Sequence, residues 1–338
     1  MSLNSLFKQI EVDLRRHNPR LENHLDALCK AYYQRDFNFI SVARAFSMLN
    51  RFAKNNPNCC DAIKAHRSFV PRMMQVAQQQ MQGNLCNARS FANLLYGCMN
   101  LGITPDAAWQ TTFWQNSQDK LNDFNPQALS STLYAAAKLS LTPPEDWQQA
   151  FWTQGKHQLK RFNPQNYSNT LHAAAKLSLT PPEDWQKAFW TQSQTQLKDF
   201  SPQGLSNTLY AACILKLKIP EDWQKAFWTQ SKRQLRQFNP QDMINMLYAA
   251  CVLDLKIPET VKPLVQSTVT SNTEEDIRHL HAMYSAKDYL EAQGINLVFK
   301  ENTPEKLRQS EDTHVSQLEK KPGSPLQRYC KACVHKPC

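Results

Sequence analysis

Five residues set 38 apart, Asn93, Ser131, Asn169, Asn207 and Asn245, offer one small polar side chain per period, and three residues beyond them stand Tyr96, Tyr134, His172, Tyr210 and Tyr248. On a helix this offset puts both on one face. An amide can hydrogen-bond the edge of an unstacked base while a ring stacks on it, so the pairing suits recognition of a single RNA strand. The same residues have a second reading, in which the Asn column bonds neighbouring backbones and the rings fill the core. Cations that could meet phosphates collect late in each period: Lys156, Lys160 and Arg161, then Lys198, then Lys232, Arg233 and Arg236. They would also complement a helix C-terminal dipole.

Other chemistry is sparse. The nine histidines do not recur with carboxylates or cysteines at catalytic spacing, and seven glycines are too few for a phosphate-cradling loop. No catalysis is expected. The terminal CKACVHKPC gathers Cys330, Cys333, His335 and Cys338, but the chain between them is too short to wrap a tetrahedral zinc site comfortably, so neither metal nor cofactor is expected. All eight tryptophans (109, 114, 147, 152, 185, 190, 223 and 228) fall at two positions of the period. A column of this kind reads as packing between repeats ahead of a base-stacking platform.

The elements that carry these residues are written in the repeat. Phe124, Phe162, Phe200 and Phe238 each open a Phe-polar-Pro-Gln segment, and a weaker copy begins at Cys86. Each unit reads as two helices. Asn163 is the expected N-cap of the first, with Pro164 at its first position and Phe162 and Tyr167 as a hydrophobic staple. Thr142 with Glu145 and Thr180 with Glu183 read as capping boxes for the second. Alanine triplets at 135–137 and 173–175 allow close helix approach. The expected fold is all-α, an αα-solenoid of 38-residue helix-turn-helix units, each burying its apolar face against its neighbours.

Around the array, residues 1–85 read as a helical cap with a degenerate repeat, in which 41–54 resembles a first helix. Residues 86–266 hold the repeats, 267–299 a capping helix opened at 273–276 and closed at Gly294, and 300–338 a polar tail expected to be disordered. The net charge is +10, and residues 267–338 carry ten charges of each sign, so the excess lies on the helical body. Ten cysteines without framework spacing fit free thiols. Neither a secretory signal nor an apolar run long enough to span a bilayer is visible. A monomer in the cytoplasm is expected.

Leu141–Trp147 and Leu179–Trp185 read L-x-P-P-E-x-W at the midpoint of a 38-residue unit, which resembles the octotricopeptide repeat and its P-P-P-E-W element. Departures are the Asp before each Trp, the single Pro220 and Pro258, and Pro105-Asp106 in the first copy. The first-helix signature at Ser168–Ala174 and Ser206–Ala212 is similar to that of repeat proteins in intracellular bacteria of the Legionella and Coxiella groups. The resemblance implies non-catalytic binding of single-stranded RNA, for which the column Asn93, Ser131, Asn169, Asn207 and Asn245 and its ring neighbours, read from residue type and spacing, would supply the base contacts. A protein-protein scaffold is the alternative, including an effector that is delivered into a host cell and binds a host protein.

Overall fold

The computed structural model describes residues 2–15, 21–31, 33, 37–56, 58–83, 86–263, 265 and 286–296. The expected capping box at 273–276, the polar tail and the terminal cysteine cluster lie outside the described residues. Among the described residues every regular element is helical, and the fold is an αα-solenoid. Five helices among the described residues precede the array: α1 Leu3–Arg15, α2 Leu21–Ala31, α3 Phe39–Asn55, α4 Cys59–Ala65 and α5 Phe69–Gln80. First helices of the repeats are α6 Ala88–Leu101, α8 Pro126–Leu139, α10 Pro164–Leu177, α12 Pro202–Ile214 and α14 Pro240–Val252. Second helices are α7 Ala107–Gln118, α9 Glu145–Gln158, α11 Glu183–Gln194 and α13 Glu221–Gln234. Each second helix ends in a 3-10 turn: η1 Leu121–Asp123, η2 Leu159–Arg161, η3 Leu197–Asp199 and η4 Leu235–Gln237. Among the described residues one further helix, α15 Lys287–Ala292, follows.

The first helices start as the sequence requires. Asn87, Asn125, Asn163, Ser201 and Asn239 each accept the N–H three residues on, at 2.8–3.1 Å. This satisfies one of the donors that a helix start leaves open. The helices end in a left-handed residue at Gly102, Ser140, Ser178, Lys216 and Asp254, again 38 apart. The N–H of the following residue then reaches back to a carbonyl five residues earlier, as Leu141 does to Ala136 at 2.9 Å and Leu255 to Ala250 at 2.8 Å. Four of the five positions hold a side chain in a conformation that favours glycine.

The second helices start differently from expectation. Pro144 and Pro220 are the caps of α9 and α13, without a side-chain cap bond, and Thr142 and Thr180 lie outside their helices. The paired prolines hold the chain extended, with Pro144 at φ −59° and ψ 155°, so no helical turn forms for a Thr-Glu box to close. Gln110, Gln148, Gln186 and Gln224 tie the start down instead, each donating its side-chain amide to the loop carbonyl five residues back at 2.7–2.9 Å.

The chain forms two compact units, one of Met1–Asn166 with Pro181–Ala188, the other of Tyr167–Thr180 with the chain from Phe189 on. In the first unit α3 packs on α6 and α6 on α8. Contact is close where Gly97 faces Phe46, since a Cβ there would stand 2.8 Å from the Phe46 Cβ. The 41–54 segment thus occupies a first-helix place. Trp109 stacks on Phe113, Trp114 meets Trp147 edge to face at 5.0 Å, Trp147 stacks on Phe151, and Trp152 meets Trp185 at 5.0 Å. The Trp147 indole N–H donates to Ser117 Oγ at 3.0 Å.

The second unit repeats the arrangement, with α12 packed on α14, Trp190 edge to face with Trp223 at 4.9 Å, and Trp223 donating to Ser193 Oγ at 3.0 Å. At its end the pattern stops. Val261 stands 38 residues after Trp223, and the buried Ser231 hydroxyl has no hydrogen-bond partner among the described residues. The segment after α14 is held by Tyr289, whose hydroxyl donates to the Leu255 carbonyl, and α15 closes at left-handed Gly294.

Two outcomes are expected in thermal or denaturant melts. Ser117→Ala and Ser193→Ala each strand a buried indole N–H and should cost about 1–3 kcal/mol, whereas Ser231→Ala removes an unused hydroxyl and should be neutral or stabilising. Ser140→Gly and Lys216→Gly should each raise stability by about 1 kcal/mol through relief of the left-handed cap. Equal losses at all three serines would contradict the first; no gain at either cap would contradict the second.

Candidate nucleic-acid interface

Burial decides which aromatic residues remain available to a ligand. All eight tryptophans are buried, the most exposed being Trp152 at 6%. They form the core between repeats, so the base-stacking platform is not built from tryptophan. The accessible rings of the repeats lie on one face of the first helices. Asn93, Ser131, Asn169, Asn207 and Asn245 are half-buried, as are Tyr134, His172, Tyr210 and Tyr248, and Tyr96 is exposed.

The column is not the inter-repeat ladder. Among the described residues the Asn93, Asn169 and Asn207 amides form no hydrogen bond, and Asn245 accepts only from its own helix, from Gln241 at 2.8 Å. The bonds between neighbouring first helices run through the preceding buried row. Asn166 donates to Ser130 Oγ at 2.8 Å in the first unit, and Ser206 Oγ donates to the Asp242 carbonyl at 2.8 Å in the second. A polar side chain that is half-buried and unbonded to protein can exchange water for a ligand edge with little penalty.

The face extends beyond the sequence-derived residues. One turn before the column stand Arg89, Gln127, Gln165, Gln203 and Gln241, all exposed, and seven residues after it stand Asn100, Lys138, Lys176, Ile214 and Val252. Offsets of four, three and four make one straight helical stripe about 16 Å long. In α8 the Lys138 ammonium lies 5.5 Å from the centre of the Tyr134 ring, joining two members of the stripe. The Gln row was visible in the Phe-polar-Pro-Gln motif itself, but its role depends on knowing which side of the helix is buried.

The basic residues are on other elements. Lys232 and Arg233 occupy the last turn of α13 and line a cleft of about 1230 Å³ with Trp228, Lys256 and Glu259, while Arg236 is on η4. The structure therefore divides this trio. Lys156 is engaged, since its ammonium bonds Asp184 at 2.5 Å and holds that exposed carboxyl below the ordinary range. Burial pushes the Cys213 thiol up to about 12 and those of Cys59 and Cys86 up to about 11, so these sulfurs stay protonated at neutral pH. Among the described residues no helix is long and apolar enough to cross a membrane.

Because the column amides carry no structural bond, Asn169→Ala and Asn207→Ala are expected to shift stability by no more than about 0.5 kcal/mol. Calorimetric melts of both variants check this, and a loss above 1.5 kcal/mol would return the column to a structural role.

Comparison with known families gives a match to the family described as Tbc2 translation factor, C-terminal domain, over residues 61–257. That is more than half of the chain and runs from α4 through α14. No curated protein matches the chain.

Proposed function

We propose that this chain, which belongs to the family of the Tbc2 translation factor C-terminal domain, binds single-stranded RNA along the exposed stripe of its first helices and performs no catalysis. The observation that carries this reading is the half-buried polar column, Asn in four repeats and Ser131 in one, set between an exposed row of Arg89 and four Gln and a ring row. Its Asn93, Asn169 and Asn207 amides are unbonded among the described residues. The translation-factor description of the family and the positive charge of the helical body support it. In each unit the Asn amide or the Ser131 hydroxyl meets a base edge, the neighbouring Tyr or His ring packs on the base, and the Gln, or Arg89 in the first repeat, extends the hydrogen-bonding lane. The P-P-E-x-W midpoint at Pro143–Trp147 and Pro181–Trp185 supports reading the repeats as octotricopeptide-like. A translation-linked role in the cytoplasm, with the protein as a monomer, fits this assignment.

Retention of a randomised single-stranded RNA pool on the purified full-length protein tests the reading. Binding should weaken with salt at a log–log slope of about −0.7 per phosphate contacted. Duplex RNA should bind worse, because its base edges are paired and its major groove is closed to side chains. Asn169→Ala combined with Asn207→Ala should change the selected sequences more than the salt slope. A pool with no retention at low salt, together with a stoichiometric host protein captured by the same column face, would replace RNA with the scaffold alternative.

A further inference from the structure

Each second helix of the array ends in a turn of the same construction. In the second unit η3 and η4 begin with buried Leu197 and Leu235, and the next residue in each is an exposed cation, Lys198 and Arg236. The backbone of the η3 turn is held by the following repeat: Gln230 donates its amide to the Lys198 carbonyl at 3.1 Å, and Gln234 to the Phe200 carbonyl at 2.9 Å. The first unit shows the same device at η1, where Gln154 donates to the Asn122 carbonyl at 3.1 Å. Among the described residues neither Lys198 nor Arg236 enters an ion pair, in contrast to Lys156 with Asp184, Lys225 with Asp222 and Lys262 with Glu259.

Position along the chain sets the use of these cations. Arg236 precedes Gln241, the first member of the α14 stripe, by five residues, and Lys198 precedes Gln203 by the same number. The turns therefore border the N-terminal edge of the first helices, where the backbone dipole adds positive potential. We infer that η3 and η4 form a phosphate-gripping row for single-stranded RNA, one cation per repeat through Lys198 and Arg236, with the base edges turned toward the amide stripe. This rests on the RNA-binding reading and adds to it the residues that meet the backbone. The period of the cations equals that of the amides, so one phosphate and one base are addressed per unit. Asp199, exposed and next to Lys198, opposes the phosphate at its own turn. Lys232 and Arg233, on α13 and in its cleft, are outside the row.

Fluorescence anisotropy with a labelled single-stranded RNA selected by the wild-type protein tests the row across a salt series. Lys198→Ala with Arg236→Ala should reduce the magnitude of the log–log slope by about 1.4, two contacts at about 0.7 each, and weaken all sequences alike. Asp199→Asn should tighten binding, most at low salt. Lys232→Ala with Arg233→Ala should leave the slope unchanged, and melts of all variants should match the wild type. An unchanged slope in the Lys198/Arg236 variant, or the larger fall in the Lys232/Arg233 variant, overturns the row while RNA binding stands. Absence of RNA binding by the wild-type protein overturns both readings.

Discussion

The structure depends on one contact, the edge-to-face meeting of a tryptophan late in one second helix with the tryptophan that opens the next. Trp114 on Trp147, Trp152 on Trp185 and Trp190 on Trp223 repeat it at 4.9–5.0 Å with interplanar angles of 66–68°. Each such pair adds about 0.5–1.5 kcal/mol beyond the area it buries. The indole-to-serine bonds, Trp147 to Ser117 and Trp223 to Ser193, fix the ring in one orientation. Since each ring packs on a residue one repeat away, the two tryptophan positions must keep the 38-residue period together, whereas the serine is replaced by Gly155 opposite the Trp185 indole. Where Val261 replaces the tryptophan, the series ends.

This contact also settles where a ligand can be met. It consumes the largest aromatic surfaces of the chain, and the small residues of the first helices, Ala135 to Ala137 among them, are spent on helix approach. The remaining face of each first helix is a lane of Gln (Arg89 in α6), Asn or Ser, Tyr or His, ending in Asn100, Lys138, Lys176, Ile214 or Val252. Such a lane is neutral along its middle and hydrogen-bonds readily, which is appropriate to base edges. Charge enters from the turns that join one repeat to the next. In the proposed RNA-binding reading, separate elements would carry the two tasks that a nucleic-acid reader must combine, sequence-independent hold on the backbone and contact with bases.

Much of this was legible in advance because its causes are local. The Asn and Ser caps, proline at the first helical position and the alternation of two helices follow from neighbouring residues alone, and all appear where the sequence places them. The Thr142 and Thr180 capping boxes failed for a local reason that outweighed them: Pro143-Pro144 and Pro181-Pro182 keep the chain extended past the threonine. The left-handed residues at Ser140, Ser178, Lys216 and Asp254 could not be read from residue type, because none is glycine and the closing backbone bond, not the side chain, selects the conformation.

The sequence by itself determined the unit, its length, its two helices and the residues that recur, since periodicity and capping need no knowledge of what lies alongside. Tertiary structure decided what each recurring residue is for. Tryptophans and tyrosines have similar periods, yet the former are enclosed by the next repeat and the latter border the exposed face. Ser130 and Ser131 are adjacent, but one turns toward the neighbouring helix and bonds Asn166 while the other joins the open stripe. Such assignments depend on which side of a helix its neighbour covers, and a period of 38 specifies that neighbour only once the helices are packed.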